Sequence, residues 1–115
     1  MPPETAKLLE DIRDAGEFIL ARAAALTLEQ FESNRVVRQA VERNFEIIGE
    51  AMVRLRDRDP SAAGRLGNPR EIIAFRNVLV HGYDAIDYAV VWDVIRFKLP
   101  ELVNSVQRLL AESPK

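Results

Sequence analysis

The sequence predicts an all-α fold: an antiparallel bundle of four main helices with an extra short helix or turn. Three observations predict it. Apolar residues recur at the helical period along almost the whole chain. No segment shows the two-residue alternation of a half-buried strand. The breaks between periodic stretches are short and carry capping and turn residues. There is no internal repeat, low-complexity tract or Gly/Ser linker, so residues 1–115 read as a single domain.

The first helix places Leu8, Leu9, Ile12, Ala15, Ile19 and Ala23 on one face, beginning near Thr5 and running to about Ala25. Thr27 and Gln30 have the spacing of a capping box at the start of the second helix. That helix carries Phe31, Val37, Ala40, Val41, Phe45, Ile48, Ala51, Met52 and Leu55. Ser33-Asn34 is a point at which it can break in two. If continuous from Leu28 to Arg56, it is roughly 43 Å long and requires an elongated bundle. Gly49 inside it costs about 1 kcal/mol relative to alanine unless a neighbouring helix needs the close approach. Asp59-Pro60-Ser61 ends the helix, and residues 57–68 read as a loop with one short turn.

Asn68-Pro69 has the form of an N-cap followed by proline at the first helical position. The third helix carries Ile72, Ile73, Phe75, Leu79 and Val80 and stops at Gly82. Asp84 or Asp87 caps the fourth, whose apolar positions include Tyr88, Val91, Trp92, Ile95, Leu99, Leu102, Val103, Val106 and Leu110. Pro100 removes an amide donor from its interior and predicts a kink.

Composition narrows the chemistry. Of the residues, 48% are hydrophobic and 30% charged, the balance of a globular domain. The absence of cysteine excludes disulfide scaffolds, thiolate metal sites and thiol nucleophiles. The single histidine, His81, excludes a one-chain metal site built on several imidazoles. Sixteen basic residues against eighteen acidic ones give a net charge of −2, so bulk charge does not point to nucleic acid. The chain shows neither a signal-peptide pattern nor an apolar run long enough for a membrane, which leads us to expect a cytoplasmic protein with no membrane partner.

The densest group of reactive side chains is Arg76-Asn77-Val78-Leu79-Val80-His81-Gly82-Tyr83. Asn77 and His81 are four apart and share a helix face. Two effects oppose each other at His81. A helix C-terminus favours the imidazolium, whereas a nearby Arg76 disfavours it. Histidine exchanges protons near neutral pH, and arginine can hold a phosphate and stabilise charge developing on it. The plainer alternative is a histidine that caps or packs the helix end.

Other groups have structural readings beside functional ones. Glu42, Glu46 and Glu50 recur every four residues, interleaved with Arg38, Arg43 and Arg54. They form either an ion-paired solvated face or a support through which Glu46 or Glu50 orients Arg76 or His81. Arg54, Arg56 and Arg58, with Arg65 and Arg70 beyond, are either a solubility surface shared with Asp57 and Asp59 or an RNA-backbone contact. Tyr88 and Trp92 read as core or dimer contacts rather than base-stacking platforms.

Arg76-Asn77…His81-x-Tyr83 resembles the Arg-x4-His-x-Tyr motif of the HepT-like (DUF86) family of the HEPN superfamily. The stretch from Val41 to Ala51 resembles that family's second-helix signature. Pro69 to Asn77 resembles its approach to the motif, and Val91-Trp92 its last helix. The likeness runs from about Lys7 to Leu110. One departure is that Pro69 is followed directly by Arg70, where family members often carry a tryptophan; the polar motif is intact.

The resemblance implies a HEPN-like fold and a metal-independent endoribonuclease toxin of a type VII toxin–antitoxin pair, needing no cofactor or metal. It implies Arg76 and His81 as catalytic residues, with Asn77 supporting. It further implies Tyr83 as the residue to which a minimal nucleotidyltransferase (MNT) antitoxin transfers AMP. Metal-free RNA cleavage needs a base, an acid and a cation at the phosphate. One histidine does not readily act on both sides of a phosphorus atom, so an RNA substrate points to a composite site across a homodimer. The competing reading is a non-catalytic helical module that binds a nucleotide or a nucleotidyltransferase partner.

Overall fold

In the computed structural model, residues 1–67, 71 and 86–112 are described. The expected third helix and the polar motif at its end therefore lie outside the described residues, apart from Glu71. The all-α expectation holds: the described residues form helices and no strand. They are α1 (Pro3–Ala23), α2 (Leu28–Ser33), α3 (Arg35–Arg58), α4 (Pro60–Gly64), α5 (Tyr88–Asp93), a π-helical turn (Val94–Lys98) and α6 (Leu99–Glu112).

The local signals act as the side chains require. Thr27 Oγ1 accepts from the Gln30 amide while Gln30 Oε1 accepts from the Thr27 amide, which completes the capping box of α2. The long second helix does break, at Asn34. Its Oδ1 accepts from the Val37 amide and so starts α3 as a separate helix. Asp59 ends α3, and its Oδ1 accepts from the Ala62 amide. The segment expected to be a loop with a turn thus contains a short helix, α4, with Pro60 at its start. Asp87 caps α5 by accepting from the amides of Ala89 and Val90. Asp84 lies outside the described residues.

Pro100 shapes the last helix differently from a simple kink. It has no amide hydrogen, and its ring would crowd the carbonyl one turn back. The chain widens just before it: the Leu99 amide donates to the Val94 carbonyl, five residues away, and residues 94–98 form a π turn. Ile95 (3% exposed) and Leu99 (2% exposed) are both in the core.

Two ends of the bundle are fixed by side chains. At the lower end Thr5, buried near the start of α1, donates to Asp59 Oδ2 at 3.1 Å, and Glu4 pairs with Arg58. Start of α1 thus meets end of α3, so the two pack antiparallel. Arg65 pairs with Glu112 at 2.5 Å, bringing the end of α6 to the same place. Higher up, Gln107 donates to Glu17 at 2.8 Å, and Gly16 faces Val103. A Cβ at Gly16 would stand 2.6 Å from Val103 Cγ2, so this glycine sets how closely α1 and α6 approach. Leu9, Ile12, Ile19, Val41, Ile48, Met52, Leu55 and Val106 fill the core between them. The upper end is closed by Phe31 of α2, which is 0% exposed and packs on Tyr88 and Trp92 of α5. No helix among the described residues is long and apolar enough to cross a membrane.

Candidate functional site

One stripe of α3 carries Arg38, Glu42, Glu46 and Glu50, four residues apart. Steps of four advance about 40° round a helix, so the stripe winds slowly beside the apolar face of Val41, Phe45 and Ile48. All four members are half-buried, which is unusual for charged residues on a solvated helix.

The stripe's upper part meets α5. Asp87 starts that helix, which sets Tyr88 against α2 and α3. The Tyr88 ring lies edge-on to Phe31, with centroids 6.0 Å apart, and the Arg38 guanidinium stacks 4.9 Å from its centre. Tyr88 Oη donates to Glu42 Oε1 at 2.8 Å. Burial of the phenol, the hydrogen bond to Glu42 and the carboxylate's charge raise the Tyr88 pKa above its ordinary value, with Arg38 opposing them. Arg38 Nε is buried and has no hydrogen-bond partner among the described residues. This three-residue cluster holds a neutral phenol, an anion already engaged by it, and a cation whose inner donor is unused.

Lower on the stripe, Glu46 accepts from Arg43 at 3.2 Å, the ion-paired alternative weighed for these glutamates. Glu50 is half-buried on the same helix. Arg76, Asn77, His81 and Tyr83, which Glu46 and Glu50 are expected to support, lie outside the described residues. The basic stretch is largely neutralised by its neighbours: Arg56 pairs with Asp57 at 3.2 Å, Arg58 with Glu4 and Arg65 with Glu112. Arg54 is exposed, and Arg70 lies outside the described residues. Trp92 is buried against Phe31, with ring centroids 5.3 Å apart. It and Tyr88 are core contacts. Among the described residues no group of three His, Cys, Asp or Glu side chains could hold a metal ion.

Residues 8–109 match the ribonuclease HepT-like family model. The chain belongs to the HepT-like ribonuclease family. A protein named "Putative RNase" from Caldanaerobacter subterraneus subsp. tengcongensis is 31% identical over 89% of this chain and 90% of its own. The "Probable ribonuclease HepT" of Thermococcus cleftensis is 32% identical over 88% of this chain and 91% of its own. A "Putative RNase" of Methanocaldococcus jannaschii is 28% identical over 86% and 90%. No solved structure matches the chain.

For a HepT-like chain, the Arg38–Tyr88–Glu42 cluster is the feature that sequence reasoning missed. Arg38 and Glu42 are visible as a helical pair, and Tyr88 as the residue after a cap. Nothing in the periodicity joins residues 46 positions apart.

Proposed function

We propose that this HepT-like chain is a metal-independent endoribonuclease toxin that cleaves RNA at a site shared across a homodimer. The observation that carries the reading is the family match over residues 8–109, a span that includes Arg76, Asn77, His81 and Tyr83 in the order and spacing of the family motif.

The chemistry assigned to these residues is self-consistent. His81 of one protomer accepts the proton of a ribose 2′-hydroxyl, whose oxygen attacks the adjacent phosphorus. The bond from phosphorus to the 5′-oxygen breaks, and the partner's His81 supplies the proton that the leaving oxygen takes up. Arg76 stabilises the negative charge on the pentacoordinate phosphate. The products are a 2′,3′-cyclic phosphate and a free 5′-hydroxyl. Asn77, one turn before His81 in the predicted helix, supports the imidazole's orientation, and Glu46 and Glu50 are positioning residues of the same site.

Control comes from an MNT-type nucleotidyltransferase antitoxin. The Tyr83 hydroxyl attacks the α-phosphate of ATP, pyrophosphate leaves, and the tyrosine carries AMP. The new phosphate brings negative charge two residues from His81, where it competes with RNA for Arg76.

Purified protein incubated with RNA in a chelating buffer tests the catalytic reading. Cleavage to cyclic-phosphate ends is expected, with a loss of at least about a hundredfold in both Arg76→Ala and His81→Ala. Full activity in either variant removes that residue from the mechanism. Tyr83→Phe should cleave RNA like the parent and escape neutralisation; AMP still transferred to that variant by the antitoxin refutes the Tyr83 assignment.

A further inference from the structure

We propose that Arg38 is an RNA-phosphate-binding residue, held in a fixed orientation by Tyr88 and Glu42, which positions the substrate strand; the inference rests on the ribonuclease reading above.

Arg38 differs from other arginines of the chain. Arg43, Arg56, Arg58 and Arg65 each have a carboxylate at ion-pair distance. Arg35 and Arg54 are exposed, so water solvates them. Arg38 is half-buried, and its Nε is out of contact with solvent and without a hydrogen-bond partner among the described residues. The nearest anion on its own helix face, Glu42, takes the Tyr88 hydroxyl at 2.8 Å. A buried donor left unmade is costly, so in a native protein it calls for an explanation.

Geometry indicates what kind of partner completes it. The guanidinium carbon of Arg38 lies over the Tyr88 ring, 4.9 Å from its centre, and a guanidinium in such a cation–π contact can still hydrogen-bond through its N–H groups. Tyr88 is itself clamped by Phe31 and by Glu42, so the stacked guanidinium loses little further freedom on binding. A planar fork of N–H donors matches the oxygens of a phosphate and takes them in pairs. In an RNA-cleaving protein the anion of that shape is the backbone phosphodiester. Glu42 has a second effect. By accepting from Tyr88 it holds the ring under Arg38 without forming a salt bridge that would use up the cation.

The test is the salt dependence of RNA binding by the intact protein. A 2′-O-methyl oligoribonucleotide, which lacks the attacking hydroxyl, serves as the ligand. Its affinity is measured over a range of salt concentrations for the parent, Arg38→Gln and Arg38→Lys. Removing one phosphate contact should weaken binding about tenfold at low salt and make the slope of log affinity against log salt shallower by about 0.7. Arg38→Lys keeps the charge, so its slope should match the parent while its affinity falls for want of the fork. An Arg38→Gln slope equal to the parent's overturns the proposal even if binding is weaker, because a purely structural role lowers affinity without releasing a counterion contact. Should Arg38→Gln fail to fold, the parent decides: its Arg38 Nε–H magnetic resonance must shift on addition of the oligonucleotide, and an unmoved signal overturns the assignment. A parent that binds no RNA overturns the ribonuclease reading as well, whereas a parent that binds with an indifferent Arg38 overturns only this proposal.

Discussion

The two ends of the bundle use polar residues in opposite ways. At the lower end four interactions join one helix to another. Thr5 donates to Asp59, Asp59 caps α4, Glu4 meets Arg58, and Arg65 meets Glu112. Glu4 and Glu112 there meet arginines, Asp59 accepts from a hydroxyl and an amide, and the group ties the start of α1 to the ends of α3 and α6. At the upper end, an aromatic wedge of Phe31, Tyr88 and Trp92 supplies the cohesion. The polar groups above it are incompletely matched: Glu42 is engaged by a neutral phenol and Arg38 keeps a buried donor unused among the described residues. Stability therefore comes from polar pairing and packing at one end and from packing at the other. The end that does not spend its polar groups on itself is the one with hydrogen-bonding capacity for a substrate.

The sharpest way to break this contrast is to remove the wedge. Phe31→Ala deletes a fully buried ring and should cost about 3–5 kcal/mol, read as a drop in the denaturant midpoint. Trp92 is the protein's one tryptophan and packs on Phe31, so its emission should shift to the red in the folded variant. A folded Phe31→Ala with parental emission contradicts the wedge. Asp59→Ala is the matched test of the lower end. It removes the N-cap of α4 and leaves the buried Thr5 hydroxyl without that acceptor, at a cost of about 1–3 kcal/mol. Trp92 emission in the folded protein should stay unchanged, since the wedge is at the other end. A red shift in this variant would mean that the two ends are coupled rather than independent.

What was legible in the sequence follows from the range of the interaction involved. The first helix, the Thr27–Gln30 capping box and the stop at Asp59 are written in residues close together in sequence, and these appear as expected. The break at Asn34 is also local, although choosing between one helix and two depends on whether Asn34 caps or continues. At Pro100 the missing amide is plain, yet a kink and a π turn both satisfy it. Nothing local to Pro100 distinguishes them, and residues 94–98 take the π form. Gly16 carries no local signal, because the side chain that needs its missing Cβ is Val103 on a distant helix. The same holds for the site. The Arg76–His81–Tyr83 motif is legible because its residues lie close together in the sequence. The Arg38–Tyr88 stacking and the Tyr88–Glu42 hydrogen bond exist only once α5 has docked on α3.

The smallest expected effect is the most direct probe of the upper cluster. The protein has two tyrosines, so Tyr83→Phe leaves Tyr88 as the only phenol to titrate. Burial and the Glu42 carboxylate both disfavour the phenolate, whereas Arg38 favours it. The ultraviolet titration of Tyr83→Phe should therefore have its midpoint above the ordinary tyrosine value of about 10. Adding Glu42→Gln should bring the midpoint down, because the anion leaves and the cation stays. Adding Arg38→Gln instead should drive it further up. The linkage has a definite sign. A folded-state pKa raised above the unfolded one stabilises the protein below the unfolded pKa, and that contribution is lost as pH rises through the folded value. The benefit of Tyr88 over phenylalanine should thus be constant near neutrality and disappear in the alkaline range above about pH 10. A Tyr88 that titrates like a free phenol, unmoved by either substitution, would show that the hydroxyl is not held by Glu42 in solution. The upper end would then be a purely apolar closure.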